Sequence, residues 1–483
     1  VAVSPSRFFR PLLSLSLSVS LSASYAEQKN EFFDTDPGWE GTNNRSTAFD
    51  PVEVVQDFGY TPAAEGTPAR IGGQITPTGE PAYSGRIIDP LTFEDPFTAS
   101  GKLVVEEGAG NFLLGFFNSH TLNEWRTPNT LAFRINGRGE TFHTHLEYAT
   151  RLWRAQASVI GRHDIEKDRV YPIENPSGAQ IYSWSMKYDP EASDGKGAMS
   201  ATLNEHEVTW DLLPGHREEG ATFNRFGFLN IVKSYDSPGK AWIFDLNVNG
   251  EPIDLSEDPN WDGFNNRRTY ITTNIRPKFD FGYSPTNFAG GRAAGETGGL
   301  IFRGDCRYPE KMACYGDKVE NLSLKAPLVA SGKVCLRRGV SDSSVLFGFY
   351  HSERSMESNP SQDSGLPNSF LGVVIEGPSA EGFNFYPAYR VDGGGESGDR
   401  GINPPRIFPD GAFRVWTLRY DPGDPEGPGK IDVTLDGKSV SMDIEQGHKN
   451  SGTAFDRFGF VTPWIDGNGQ VVYFDDLDYT WKR

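Results

Sequence analysis

Trp184-Ser-Met-Lys-Tyr-Asp-Pro190, followed by Gly215-His216 and Phe223-Asn-Arg-Phe-Gly-Phe228, returns as Trp416-Thr-Leu-Arg-Tyr-Asp-Pro422, Gly447-His448 and Phe455-Asp-Arg-Phe-Gly-Phe460. Residues 184–230 and 416–462 align without a gap, and 18 of the 47 positions are identical. Working outward, Asp36-Pro-Gly-Trp-Glu-Gly-Thr-Asn-Asn-Arg45 matches Asp258-Pro-Asn-Trp-Asp-Gly-Phe-Asn-Asn-Arg267, and Asp57-Phe-Gly-Tyr-Thr-Pro62 matches Asp280-Phe-Gly-Tyr-Ser-Pro285. Ala99-Ser-Gly-Lys102 matches Ala330-Ser-Gly-Lys333, and Leu114-Gly-Phe-Phe117 matches Phe347-Gly-Phe-Tyr350. The offset drifts between blocks, which places insertions in the loops between them. A repeat this long describes a duplicated domain, not a short-period solenoid.

Within each copy the periodicity is two. Trp242, Phe244, Leu246 and Val248 alternate with Ile243, Asp245 and Asn247, and Ile431, Val433 and Leu435 alternate with Asp432, Thr434 and Asp436. Such alternation is that of half-buried strands. Asp194-Gly195, Asn249-Gly250 and Asp436-Gly437 supply the turns between them. The chain has 483 residues, 54 Gly, 33 Pro and only 5 Met. That length fits two cores, and that mixture favours strands and tight turns. The expectation is an all-β chain of two tandem jelly-roll β-sandwich domains, copy 1 at 27–254 and copy 2 at 255–483.

The strand Tyr473-Phe-Asp-Asp-Leu-Asp-Tyr479, its partner Ala241-Trp-Ile-Phe-Asp-Leu-Asn247 and the Trp-x-Leu-x-Tyr-Asp-Pro strand at Trp416 resemble concanavalin A-like lectin/glucanase domains. The Trp-(Asp/Glu)-Gly-x-Asn-Asn-Arg and Asp-Phe-Gly-Tyr-(Ser/Thr)-Pro blocks are similar to tandem-repeat secreted bacterial proteins. The first resemblance implies a jelly roll, a carbohydrate ligand and often a structural calcium ion.

Residues 1–26 read as an export signal. Arg7 and Arg10 precede a Leu/Ser/Val run, and Ser24-Tyr25-Ala26 offers small residues for cleavage. No later stretch approaches the ~20 apolar residues of a membrane helix. The expected location is therefore secreted, periplasmic or cell-surface, without membrane insertion. Net charge is −19, which repels a phosphate backbone and argues against nucleic acid as partner. Cys306, Cys314 and Cys335 are the only cysteines. Export permits a bridge, and Cys306–Cys314 is the nearer pair, but disulfides do not define the fold.

The chemistry is less explicit. Glu-x-Asp-x-x-Glu, the retaining-hydrolase spacing of the resembled superfamily, is absent from both copies. On Thr141-Phe-His-Thr-His-Leu-Glu-Tyr148, Phe142, Leu146 and Tyr148 share one face and His143, His145 and Glu147 the other. That second face reads as a divalent-metal set or as a polar sugar-lined surface. Copy 2 replaces it with Phe383-Asn-Phe-Tyr-Pro-Ala-Tyr-Arg390. Arg forks suit carboxylate or sulfate groups. The candidate catalytic set is therefore Arg126, Arg134, His143, His145, Glu147 and Tyr148 in copy 1, and Arg303, His351, Tyr386, Tyr389 and Arg390 in copy 2.

Trp125, Trp153 and Arg154 are candidate substrate contacts, whereas Trp184 and Trp416 are assigned to core. Asp475, Asp476 and Asp478 are candidate calcium ligands. Polar residues present in both copies (the Asn-Asn-Arg block, the Gly-His pair, Arg225 and Arg457) are read as fold determinants: a buried Arg pairing an acid, or Asn satisfying a turn. Three functions remain open: a secreted polysaccharide lyase acting on a uronate glycan, a non-catalytic glycan-binding or adhesion protein, and a structural envelope protein.

Overall fold

The structure, a computed structural model, describes residues 27–482 apart from 47–49, 109–110, 124–126, 139–140, 161–170, 173–180, 378–381 and 464–465. The export segment lies outside the described residues. Four antiparallel sheets make up an all-β molecule of jelly-roll-like sandwich architecture. In the second half of the chain one sheet runs Phe279–Ser284, Glu296–Phe302, Gly469–Lys482, Leu328–Gly339, Phe413–Asp421, Gly429–Leu435, Lys438–Ile444. Its companion runs Glu40–Thr42, Cys314–Ser323, Ala454–Val461, Ser343–Tyr350, Phe370–Gly377, Phe383–Arg390, Glu396–Gly398.

The first half repeats this order. Val52–Thr61, Arg70–Ile75, Gly239–Val248, Phe97–Gly108, Ile181–Asp189, Ala198–Leu203 and His206–Asp211 form one sheet, with Arg267–Thr272 at its edge. Asp262–Phe264, Tyr83–Thr92, Thr222–Asn230, Asn111–Phe117, Thr130–Arg138, Thr141–Ala149 and Ala155–Val159 form the other.

Strand alternation builds the cores. Trp416, Leu418 and Tyr420 are at most 1% exposed, while Phe413, Val415 and Arg419 on the same strand face out. Across the sandwich the rings of Phe347 and Phe474 stack at 3.9 Å, and within one sheet Trp416 meets Phe474 edge-on at 5.6 Å. In the first half Trp184 meets Phe133 edge-on at 5.8 Å. Trp184 and Trp416 are core residues, as their shared strand position implied.

Two main apolar clusters result, one drawn from 58–255 and one from 279–479. The second also contains Phe33 and Trp39. Those two residues reveal an exchange. Glu27–Glu31 pairs with Gly469–Lys482, and Glu40–Thr42 pairs with Cys314–Ser323, so the start of the chain completes the second half. Reciprocally, Asp262–Phe264 pairs with Tyr83–Thr92 and Arg267–Thr272 with Val52–Thr61.

The repeated motifs are the fittings of this exchange. Arg45 donates to Asp280 Oδ1 (2.6 Å) and Tyr283 O (2.9 Å), as Arg267 donates to Asp57 Oδ1 (2.5 Å) and Tyr60 O (2.6 Å). Asn44 Nδ2 donates to Phe281 O (2.6 Å), as Asn266 Nδ2 does to Phe58 O (2.8 Å). Arg457 holds Glu40 (2.5 Å), as Arg225 holds Asp262 (2.8 Å). Gly41 and Gly263 leave room for the second Asn of each motif: a Cβ would stand 2.2 Å and 2.4 Å from the Asn44 and Asn266 Oδ1 atoms.

The Cys306–Cys314 bridge that export would permit is not formed; all three cysteines are buried free thiols. Cys306 Sγ donates to Asn359 O and Cys335 Sγ to Gly411 O, both at 3.2 Å. Burial pushes the Cys335 thiol up to about 12, which makes it an inert core group.

Candidate functional site

In the first half, Thr141–Ala149 lies between Thr130–Arg138 and Ala155–Val159. Phe142, Leu146 and Tyr148 face the core as the alternation requires. Glu147, on the other face, is 5% exposed and accepts from Arg134 Nε at 2.9 Å. Arg134 stands opposite His145 in register. The carboxylate expected to serve a metal or a substrate is thus already neutralised by the arginine expected to serve a uronate. Among the described residues no group of three metal-ligating side chains converges. The side chain of His143 lies outside the described set, as do Trp125 and Arg126.

Tyr148 departs from the proposed catalytic role. It is 1% exposed, its hydroxyl lies 2.8 Å from His216 Nδ1, and it accepts from Leu213 N at 3.2 Å. Tyr389 repeats the arrangement with His448 Nδ1 at 2.9 Å. The Gly-His pair of each half therefore anchors a core tyrosine. Arg154 donates to Pro214 O (3.1 Å), bracing the turn before His216. Trp153 is half-buried beside it, with positive φ.

The second half brings together two of its five candidates. Arg303 donates through Nε to Ser344 Oγ (2.8 Å), through Nη1 to Asp342 (2.7 Å) and through Nη2 to Glu376 Oε1 (3.1 Å). Tyr386 donates to Glu376 Oε2 at 2.7 Å, and Arg400 donates to the same oxygen at 2.6 Å. Of these groups, Arg303, Ser344, Glu376 and Tyr386 line a pocket of about 120 Å³ together with Leu366 and Gly398. Burial, and then the Glu376 charge, holds the Tyr386 phenol well above its usual range. Burial likewise raises the Asp342 carboxyl, against the pull of Arg303.

Arg390 braces this pocket from behind. It is 6% exposed, donates to Leu366 O (3.2 Å) and pairs with Glu396 (3.4 Å) and Asp363 (3.5 Å). His351 belongs elsewhere: its Nδ1 accepts from Glu353 N (3.2 Å) and caps a short turn. Sequence reading missed Glu376 and Arg400. Glu376 was detectable as the lone charge in the apolar strand Phe370–Gly377. Arg400 lies in a loop, where no periodicity marks it.

Asp475, Asp476 and Asp478 do not converge as calcium ligands. Asp475 is fully buried, with Oδ1 accepting from Asp476 N (2.6 Å) and Oδ2 without a partner. Burial, aided by the Asp476 and Glu296 charges, pushes its carboxyl up to about 7. Asp476 turns the other way, to Lys333 (3.0 Å) and Arg292 (3.4 Å). A wider groove of about 800 Å³ lies beside the paired strands Glu27–Glu31 and Gly469–Lys482, lined by Lys29, Asp317, Glu320, Asn321, Asp456 and Trp481.

No family model and no curated protein matches the chain. Similar solved structures include the mouse laminin alpha1 chain, domains LG4-5, at 11% identity over 89% of this chain and 92% of that one, TM-score 0.23. Alginate lyase vAL-1 from Chlorella virus is 13% identical over 42% of this chain and 89% of its own, TM-score 0.27. The Emp47p carbohydrate recognition domain is 10% identical over 42% and 89%, TM-score 0.26. Likenesses this faint carry no argument about activity. The reading of function rests on the side chains.

Proposed function

We propose that the protein is an exported glycan-binding protein of two jelly-roll copies, and that it binds carbohydrate without cleaving it. One observation carries this reading: Glu376 accepts from Arg303, Tyr386 and Arg400 at the mouth of a preformed pocket. Fixed planar donors and acceptors beside an aromatic ring match the paired hydroxyls and the apolar face of a pyranose. The pocket is smaller than the ~300–1,000 Å³ that encloses a drug-sized ligand. It suits one sugar edge of a longer polysaccharide.

The lyase reading needs a free Arg fork and a Tyr or His base beside it. Arg134 and Arg303 are each occupied by acids. Tyr148 and Tyr389 face the core, and the Tyr386 proton is held in place by Glu376. Arg303 and Glu376, the charged residues of its lining, leave this pocket without net charge, which favours a neutral over a uronate glycan.

The test is calorimetric titration against neutral, uronic-acid and sulfated polysaccharides, with absorbance of unsaturated uronate followed in parallel. The expected result is binding without new absorbance, weakened at least tenfold by Glu376→Gln or Arg400→Ala and unchanged by Trp481→Ala in the distant groove. Unsaturated product would install the lyase instead. No binding to any class would remove the glycan reading altogether.

A further inference from the structure

A buried hydrogen bond joins the two halves close to the Glu376 pocket. Ser234, five residues before the strand Gly239–Val248, donates its hydroxyl to Asn468 Oδ1 at 2.7 Å, and Asn468 directly precedes the equivalent strand Gly469–Lys482. Both residues are at most 2% exposed. Ser234 is held from either side by its own half: Lys233 N donates to Thr78 O (2.9 Å) and Asp236 N to Pro77 O (3.2 Å). The other polar groups of Asn468 serve the second half. Its Nδ2 donates to Ser341 O (2.8 Å), its N donates to Asp342 O (2.8 Å), and its O accepts from Arg303 N (3.3 Å).

We propose that Ser234 of the first half is a positioning residue for the sugar pocket of the second: through Asn468 it fixes the turn 341–343, and that turn aims Arg303 at Glu376. The proposal rests on the reading of that pocket as the carbohydrate site. Asp342 has a φ of +61°, a conformation that costs a residue with a side chain and persists where its surroundings enforce it. The two bonds that Asn468 gives to the carbonyls of Ser341 and Asp342 supply that enforcement. Asp342 Oδ1 then accepts from Arg303 Nη1 (2.7 Å), and Ser344 Oγ, two residues on, accepts from Nε (2.8 Å). With those two nitrogens fixed, Nη2 points to Glu376 Oε1 (3.1 Å). Gly467 allows the close fit: a Cβ there would stand 2.6 Å from both Arg303 Cδ and Asp342 O. Without the Ser234 hydroxyl, Asn468 Oδ1 becomes a buried acceptor with no donor. The amide then gains by rotating, which releases Ser341 O and loosens the turn behind Arg303.

Two measurements on the full chain test this, one with glycan and one without. In calorimetric titration against dextran, alginate and carrageenan, Ser234→Ala should weaken whichever binding the unaltered chain shows by about fivefold, the loss of one buried hydrogen bond. Ser234→Thr, which keeps the hydroxyl, should restore it. In the Glu376→Gln background the same change should weaken binding by less than about twofold, because the two residues act on one contact. A full loss in that background, or unchanged binding by Ser234→Ala alone, overturns the proposal. Without glycan, amide hydrogen exchange at 340–344 should quicken several-fold in Ser234→Ala and stay unchanged in the strand Ile181–Asp189. Quickening everywhere, or nowhere, would reject the positioning role. Should none of the three polysaccharides bind, the sugar reading falls, and hydrogen exchange alone decides whether Ser234 sets the turn. If Ser234→Ala does not fold, Ser234→Cys is measured in its place, with the same losses expected.

Discussion

Asp475 shows how much a single buried carboxyl contributes. Its ionisation lies near 7 in the folded chain, against ~3.9 for a free aspartate. As pH rises the unfolded chain ionises first, so folding stability from this group is greatest below about pH 4 and falls through pH 7. Asp476, Glu296 and Lys333 are the charges that act on it. Asp475→Asn should therefore gain about 1–3 kcal/mol at pH 8 and nothing at pH 3.5. Urea unfolding of both chains at the two pH values checks this, and an equal gain at both would refute it. Tyr148→Phe acts in the opposite sense. It removes the hydroxyl that stands 2.8 Å from Nδ1 of His216, a residue 0% exposed, and should lose about 1–3 kcal/mol. The inward face of Phe142, Leu146 and Tyr148 was legible from period two alone. Which outward residue meets which acid was not, because Arg134 finds Glu147 and Arg303 finds Glu376 across strands whose register no single sequence declares.

At the scale of elements, the repeated motifs are docking chemistry. Asn44→Ala and Asn266→Ala each remove a hydrogen bond to a strand carbonyl. Each should cost about 1 kcal/mol, in different halves and additively, when read by calorimetry. Gly459 is less forgiving. Its φ is +154°, and a Cβ there would stand 2.3 Å from Tyr315 O, a backbone atom that cannot step aside. Gly459→Ala should lose about 1–3 kcal/mol or more through a displaced strand. The sequence marked Asn44 and Asn266 as shared and read them as fold determinants. It could not say why they are shared, since a turn, a core and a docking contact make similar demands on Gly, Asn and Arg.

For the molecule as a whole, the all-β sandwich architecture was legible because the strand period is regular. The exchange was not. Each half carries an equivalent motif block, so nothing in the order of residues reveals which half receives which segment. The consequence is measurable. A fragment of residues 50–272 keeps the segment that completes the first half, whereas 27–254 lacks it and carries an orphan in its place. The first fragment should unfold in one cooperative calorimetric transition and the second should not. Equal behaviour of the two would mean that the borrowed strands are ornamental.

Glu27 stands opposite Lys482 in the ladder that joins the first described strand to the last. A short linker could weld these neighbours, and new termini could then be cut into a surface turn such as Asp436-Gly437, giving a permuted chain with the same wiring. A tether grafted at Glu27 or at Lys482 leaves from one spot on the surface.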